Sequence, residues 1–474
     1  MSNNLESKKK SSFSGTIGFV LASAGSAVGL GNIWRFPYLA AQGGGGVFLV
    51  TYIVLALTFG FTLLTTEVAI GRKTRRSPIE AYEMISKKWK FLGYLSFIIP
   101  ALIITYYTVI GGWVVKYLVT YLCFKGNAAA DSSFFTSFIS SPVSSIIFML
   151  IFFALTAFIV YNGVEEGIEK SSKWIMPGLF ILIMIIAIYS LFLKFDDNGT
   201  VRTGWQGFLH YIIPSFKGMT VTGYLEILLS AMGQLFYSLS VAMGIMITYG
   251  SYVKKDVNLP KSLGQIEFFD TLIAFLAGMM IIPAVYVFFG MDGMSAGPSL
   301  IFVSLPKVFQ SMGFMGQIVG IIFFVMVLFA ALTSCVSILE TLVANCIEVA
   351  KISRKKACLT VTSIAMILAA IICLGYSVFY FEVKLPNGSV GQLLDIADYL
   401  SNSFLMPIVA ILTCILIGWV VKPQWIIDEI EADGVKFKRK KLYIIMVKYI
   451  APILLFILLL QSVGFFSLIE KLFS

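Results

Sequence analysis

The chain alternates long apolar runs with short polar breaks, and the runs have membrane length. Ser144 to Tyr161 and Trp174 to Leu193 carry no charge, and Leu442 to Phe466 carries only Lys448. A bilayer core of about 30 Å is crossed by about 20 apolar residues in a helix. Polar and apolar residues do not alternate inside these runs, as the strands of a barrel would require, so helices are the spanning solution. The pattern predicts an all-α membrane protein with about eleven spans, at 14–41, 45–71, 91–124, 144–161, 168–193, 223–253, 261–290, 313–350, 357–381, 390–421 and 442–466. Three polar segments stand out. Segment 194–222 is expected as an external loop holding Trp205 and a solvated His210, the one histidine of the chain. Segment 291–312 is too interrupted to span and is expected as a helical hairpin or lid, and 422–441 as a charged cytoplasmic loop. With no soluble domain in the pattern, residues 1–474 read as one membrane domain.

Spans one and six share a layout of two apolar halves around a glycine- and serine-rich interruption: GFVLASAGSAVGLGNIWRF and ILLSAMGQLFYSLSVAMGIM. They lie five spans apart, so a second copy of a five-helix unit would be inverted, with repeat one at about 14–193, repeat two at about 223–421 and an extra helix at about 442–466. Interrupted helices in matching positions of inverted repeats point to a binding site at the bilayer midplane. In span one, Gly25 and Gly29 also fit a small-xxx-small helix-packing face. Asn32, Trp34 and Arg35 follow directly, however, and an arginine in a span is costly unless it meets water or a partner. Glycines let the backbone leave the helix, freeing carbonyls for a cation and exposing N–H groups to a carboxylate. Span eight adds the adjacent hydroxyls Thr333 and Ser334, which either bond back to their own helix or ligate a hard cation. Span seven adds Asp270, a carboxylate at depth; nearby Glu267 is expected closer to the helix end and solvated.

Composition agrees. Of 474 residues 58% are hydrophobic and 13% charged, where a soluble domain carries about a quarter charged. The net charge of +10 could indicate nucleic acid, but its placement does not. One set of loops holds 25 Lys and Arg and the other seven, which puts the N-terminus in the cytoplasm of a multi-pass inner (plasma) membrane protein and, after eleven spans, the C-terminus outside. The expected partners are the lipid bilayer and a small molecule, with no nucleic acid. The six cysteines lack paired spacing and read as small core residues, and no cleavable signal is seen. An enzyme would need a nucleophile–base pair or a metal set within the spans, which the sequence does not offer. A channel would need a continuous polar lining.

At these residues the chain resembles the neurotransmitter:sodium symporter family. The likeness is carried by SAGSAVGLGNIWRFPYLAAQGGGGVF in span one, YYTVIGGW in span three, GQLFYSLSVAMG in span six, ALTSCVSI in span eight and LLDIADYLSN in span ten. It implies a leucine-transporter-like fold and sodium-coupled amino-acid import by alternating access; a sodium-dependent sensor or a channel-like protein is the alternative. It implies two sodium sites. The first resembles a site of the Ala27 carbonyl, Asn32, Ser238 and Asp270. The second resembles one of the carbonyls of Gly25, Val28 and Ala330 with the hydroxyls of Thr333 and Ser334. The family's substrate pocket maps onto Ser26, Ala27, Gly29, Gly31, Ile103, Tyr107, Tyr237, Ser240, Met243, Ser334 and Ile338. Tyr107 and the Gly31 N–H would take the substrate carboxylate. Biogenic-amine members carry an acid where Gly29 stands, so the resemblance implies a substrate that brings its own carboxylate and completes the first sodium site. Met243 with Ile103, Ile338 and Tyr237 implies a hydrophobic or aromatic side chain. Chloride-dependent relatives have a neutral residue at or near the Asp270 position, so no chloride is expected. Arg35 and Asp398 match the family's external gate. At the internal gate the usual Arg and Trp are replaced by Lys10 and Phe13, with Glu348 as acid and Tyr252 nearby. Lysine keeps the charge there but not the bidentate geometry.

Overall fold

In the computed structural model, residues 12–197, 200–216, 218–290, 293–294, 298–432 and 434–466 are described. Nine continuous helices there are long and apolar enough to cross a membrane: Gly46–Thr74, Lys87–Leu122, Pro142–Tyr161, Val164–Leu191, Leu259–Phe289, Phe314–Ala350, Arg354–Leu374, Leu393–Val420 and Lys440–Ser462. Two further spans are interrupted. Thr16–Ala27 and Gly31–Gln42 are bent by 54° to one another. Val221–Ser238 and Ile245–Tyr252 are separated by residues 239–244. Counting each interrupted pair as one crossing is compatible with the eleven spans expected.

The breaks have local causes. Span one leaves the helix at Val28, whose ψ of 89° ends the α-ladder, and resumes as a π-turn over Gly31–Arg35. Span six is broken by Ser240 (φ 54°), Ala242 (φ 62°) and Gly244 (φ 73°). Left-handed backbone costs non-glycine residues roughly 1–2 kcal/mol each, so Ser240 and Ala242 need support from elsewhere. That support is a carboxylate: the Ala242 N–H donates to Glu67 Oε1 at 2.5 Å.

Helices divide by what they face. In Lys87–Leu122, 83% of the most apolar window is buried within the protein, against 28% in Lys440–Ser462. The third span packs on the eighth, and the broken first span packs on the seventh and eighth, while the fourth, fifth, ninth and eleventh are the least buried.

Several expectations are corrected. Segment 194–222 is not irregular: Lys194–Asp197 pairs antiparallel with Thr200–Thr203, and Gly204–Ile212 is a helix closed at its start by the Thr203–Gln206 capping box. A second two-stranded ribbon joins Val383–Lys384 to Val390–Gly391. The helical hairpin or lid expected over 291–312 falls partly on residues 291–292 and 295–297, outside the described residues; of the remainder, Leu300–Ser311 is helical. Glu267 is not solvated: it is 4% exposed and accepts from Arg439 Nη1 at 3.4 Å, because the loop after span ten folds back against spans two and seven. Cys123 is exposed at the end of span three, whereas Cys335, Cys358, Cys373 and Cys414 are buried as expected.

Candidate functional site

Both breaks open onto one narrow cavity of about 30 Å³. All eleven residues expected in the substrate pocket line it: Ser26, Ala27, Gly29 and Gly31 from span one, Ile103 and Tyr107 from span three, Tyr237, Ser240 and Met243 from span six, and Ser334 and Ile338 from span eight. Leu30, Asn32, Ser238 and Ile245 complete the wall.

Ser26 ties the three helices together. Its carbonyl accepts from Ser240 Oγ at 3.0 Å and from Ser334 Oγ at 3.1 Å. Its own hydroxyl lies 3.2 Å from Ser240 Oγ and 2.7 Å from Ser337 Oγ. Beyond the break, the N–H groups heading the second half-helix are only weakly engaged. Gly29 N–H reaches Asn32 Oδ1 and Leu30 N–H reaches the Tyr107 oxygen, both at 3.4 Å, longer than a well-formed bond. Such N–H groups, with the positive end of the helix dipole behind them, suit a carboxylate.

Gly29 is required by space. A Cβ there would sit 2.7 Å from Ser334 Oγ and 3.2 Å from the Tyr107 hydroxyl. Gly29→Ala is therefore expected to weaken substrate binding at least about tenfold, since the added methyl displaces both polar groups. Equilibrium binding of a labelled substrate checks this, and wild-type affinity would show that the wall yields freely.

Asp270, fully buried, lies behind the cavity wall and holds two of its lining residues, Asn32 and Ser238. Its Oδ1 accepts from Asn32 Nδ2 at 2.8 Å and from Ser238 Oγ at 2.5 Å, and Ser238 also lies 3.2 Å from Asn32 Oδ1. The Tyr52 hydroxyl donates to Oδ2 at 3.1 Å. Three of the four groups expected at the first sodium site are thus in mutual contact, and the fourth, Ala27, lines the same cavity. Tyr52 was missed because nothing around it in span two marks it as polar-facing. Gln234, also missed, donates to the Gly31 carbonyl at 3.1 Å.

The second expected sodium set is close-packed. A Cβ on Gly25 would lie 3.2 Å from Thr333 Cβ, so spans one and eight touch there. The Thr333 hydroxyl is 3.1 Å from the carbonyls of Phe329 and Ala330, bonding back to its own helix. Val28 is buried beside this contact.

The gates differ. Arg35 and Asp398 line a second cavity of about 390 Å³, and Tyr237 lines both cavities, separating them. Among the described residues Arg35 and Asp398 form no direct ion pair. The Arg35 guanidinium lies 6.0 Å from the Tyr237 ring centre, and Asp398 accepts from Asn402 Nδ2 at 2.6 Å. Asn402 also donates to the Tyr106 oxygen at 2.8 Å.

Toward the opposite, lysine-rich face an aromatic and charged cluster gathers around Phe13 and Tyr252. Phe13 packs against Phe19, Tyr249 and Tyr252, and its N–H donates to the Tyr252 carbonyl at 3.1 Å. The Tyr252 hydroxyl donates to Glu340 Oε1 at 2.6 Å, and Arg354 forms an ion pair with the same buried carboxylate. Ser14 donates to Glu169 through its N–H at 2.7 Å and through its hydroxyl. Glu348 accepts the Ser77 N–H at 2.7 Å, and Lys10 lies outside the described residues. Sequence reasoning thus found Phe13 and Tyr252 but missed Glu340, Arg354 and Glu169.

Residues 10–133 and 135–471 match the sodium:neurotransmitter symporter family. The chain is 33% identical over 470 residues to an uncharacterized sodium-dependent transporter of Bacillus subtilis, covering 98% of this chain and 100% of that one. It is 32% identical over 428 residues to an uncharacterized sodium-dependent transporter of Methanocaldococcus jannaschii, covering 87% and 82%. Its fold superposes with a TM-score of 0.83 on the crystal structure of MhsT in complex with L-phenylalanine, at 34% identity over 96% of this chain and 100% of that one. The broken-helix cavity and the full-length likeness agree: the chain belongs to the sodium:neurotransmitter symporter family and is a sodium-dependent membrane transporter.

Proposed function

We propose that the protein is a sodium-coupled symporter that imports a hydrophobic or aromatic amino acid by alternating access, without chloride. The observation that carries this reading is the nearness of two features: loosely held N–H groups beside Gly29 and Tyr107 in the cavity, and, behind its lining residues Asn32 and Ser238, a buried Asp270 that both of them and Tyr52 grip. The first takes a substrate carboxylate. The second is an all-oxygen donor set suited to a small hard cation.

In this reading Asn32, Ser238, Asp270 and the Ala27 carbonyl hold one sodium ion, and the substrate carboxylate completes its shell. Binding of either then favours binding of the other, which is thermodynamic coupling. Thr333, Ser334 and the carbonyls of Gly25, Val28 and Ala330 hold a second. Because Asp270 supplies a fixed negative charge, no anion is needed beside the first ion. Gly29 leaves no acid for an amine, and Met243, Ile103 and Ile338 offer an apolar wall. The cavity is small, so a bulky side chain must move that wall. Met243 is suited to yield, having three rotatable bonds and no branch. MhsT, bound to L-phenylalanine, supports an aromatic substrate.

The same reading makes 14–193 and 223–421 the inverted repeats. It sets the N-terminus in the cytoplasm of the plasma membrane, with Arg35 and Asp398 outside and the Glu340 network inside. Each sodium entering down 100 mV contributes about 2.3 kcal/mol, a factor of roughly 40 in accumulation. Proteoliposomes with an inward sodium gradient should accumulate labelled phenylalanine, leucine or tyrosine at least about tenfold over the same vesicles in potassium. Equal uptake in the two cations would refute symport.

A further inference from the structure

Span eleven contains one charge in its apolar run, Lys448, and none of the described residues gives it an anion. Among the described residues its ammonium has neither a carboxylate nor a hydrogen-bond acceptor, and it lies over the Trp419 ring with the centre 5.7 Å away. Lys448 lies eight residues into the helix Lys440–Ser462, about 12 Å along the axis from its lysine-rich end. A charge within an apolar run is costly unless it is paired or its head reaches the interface.

The surroundings are built rather than incidental. Lys448 sits in a π-turn, Met446–Ile450, which packs against a second π-turn, Leu416–Val420, at the end of span ten. Such turns are rare and cluster at functional positions. Gly418 brings the two backbones together: a Cβ there would lie 3.1 Å from the Val447 carbonyl oxygen and 3.3 Å from Lys448 Cα. Trp419 is thereby pinned, its Nε1–H donating to the Lys448 carbonyl at 3.1 Å, and Tyr449 meets its ring edge-on at 5.5 Å. Both rings are nevertheless about half exposed, on a flank where Ile445, Ile450, Ile453 and Phe456 are exposed too. Trp419 stands one residue before the end of span ten, the level at which Trp and Tyr anchor at a bilayer surface. Lys441, seven residues before Lys448 and so on the same helix face, is exposed, as is Lys422 beyond Trp419.

We infer that this flank of spans ten and eleven is a binding site for an anionic phospholipid. The phosphodiester pairs with Lys448, the Trp419 and Tyr449 rings hold the glycerol region, and Lys441 and Lys422 add attraction from the membrane surface. Charge complementarity selects this occupant: an unpaired ammonium on an apolar, lipid-facing surface calls for an anion with hydrocarbon attached.

The test uses the full-length protein in nanodiscs made from equal parts phosphatidylglycerol and phosphatidylcholine, ejected into a native mass spectrometer. Wild type should retain phosphatidylglycerol at least about fivefold over phosphatidylcholine. Lys448→Gln should lower that ratio toward one, while Lys125→Gln on the opposite face leaves it unchanged. In nanodiscs of brominated phosphatidylglycerol, the fluorescence lost in Trp419→Phe should belong to a strongly quenched tryptophan, and Lys448→Gln should relieve that quenching. Both variants are compared by melting temperature, so that misfolding is told apart from lost binding. Undiminished phosphatidylglycerol retention in a folded Lys448→Gln protein overturns the site, as does equal retention of the two lipids by wild type. A protein dimer that falls apart in Lys448→Gln without any change in bound lipid would instead assign the flank to a second copy of the chain, and would also overturn it.

Discussion

Asp270→Asn is expected to cut uptake in chloride-free medium by at least about a hundredfold and to restore part of it when chloride is added. The substitution keeps size and shape, so Asn32, Ser238 and Tyr52 retain a partner. What it removes is the one formal negative charge in contact with Asn32 and Ser238. A cation brought there would then sit in a buried site without compensation, at a cost of several kcal/mol. About 2.7 kcal/mol already corresponds to a hundredfold. Chloride from solution can supply the missing charge, which is why its concentration should come to control the rate. The measurement is sodium-driven uptake with gluconate or chloride as the anion. An unchanged variant in gluconate would make Asp270 a packing residue and remove the main support for chloride independence.

The second large effect concerns the lysine-rich face. Glu340→Ala leaves the largely buried Arg354 guanidinium without its carboxylate and removes the acceptor of the Tyr252 hydroxyl. Removing one partner of a buried pair typically costs about 3–5 kcal/mol. In the proposed alternating-access reading this pair closes the lysine-rich side, and part of that cost is then expected as a shift toward the state open on this face. A cysteine placed at buried Ala22 in the first half-helix reports the change. Its labelling by a membrane-impermeant maleimide added to the lysine-rich side should speed up at least about tenfold, with uptake falling in parallel. Glu340→Ala/Arg354→Ala should recover part of the seal, because no lone charge remains. Labelling that stays at the wild-type rate in Glu340→Ala would mean the seal rests on Phe13 and its aromatic neighbours instead.

How far the sequence could be read follows from where each signal lies. The break in span one was legible because glycines, Asn32 and Arg35 stand together within a few positions of an apolar run. The cavity lining followed from motifs in which most of the informative residues are adjacent. What escaped were lone polar residues whose partners lie far along the chain. Tyr52 meets Asp270 across 218 positions, Ala242 meets Glu67 across 175 and Ser14 meets Glu169 across 155. Nothing in TLLTTEVAIG distinguishes Glu67 from a carboxylate at a span end. Glu267 was misjudged for the same reason: its depth along the helix was readable, but the return of Arg439 from a later loop was not. Glu348 drew attention by standing next to a basic loop, whereas Glu340, two turns deeper, is the one that Arg354 reaches.

The left-handed residues in span six bear on durability. Ser240 and Ala242 hold backbone angles that glycine adopts at little cost, and Glu67 supplies the Ala242 N–H with its acceptor. Glycine at either position would relieve strain in the folded protein, though it would also loosen the unfolded chain, and the two effects partly cancel. A transporter relaxed at this point would be expected to survive heating longer and cycle more slowly, so that shelf life and turnover are set against each other by two side chains that touch no solute across the membrane's thickness except through Ser240.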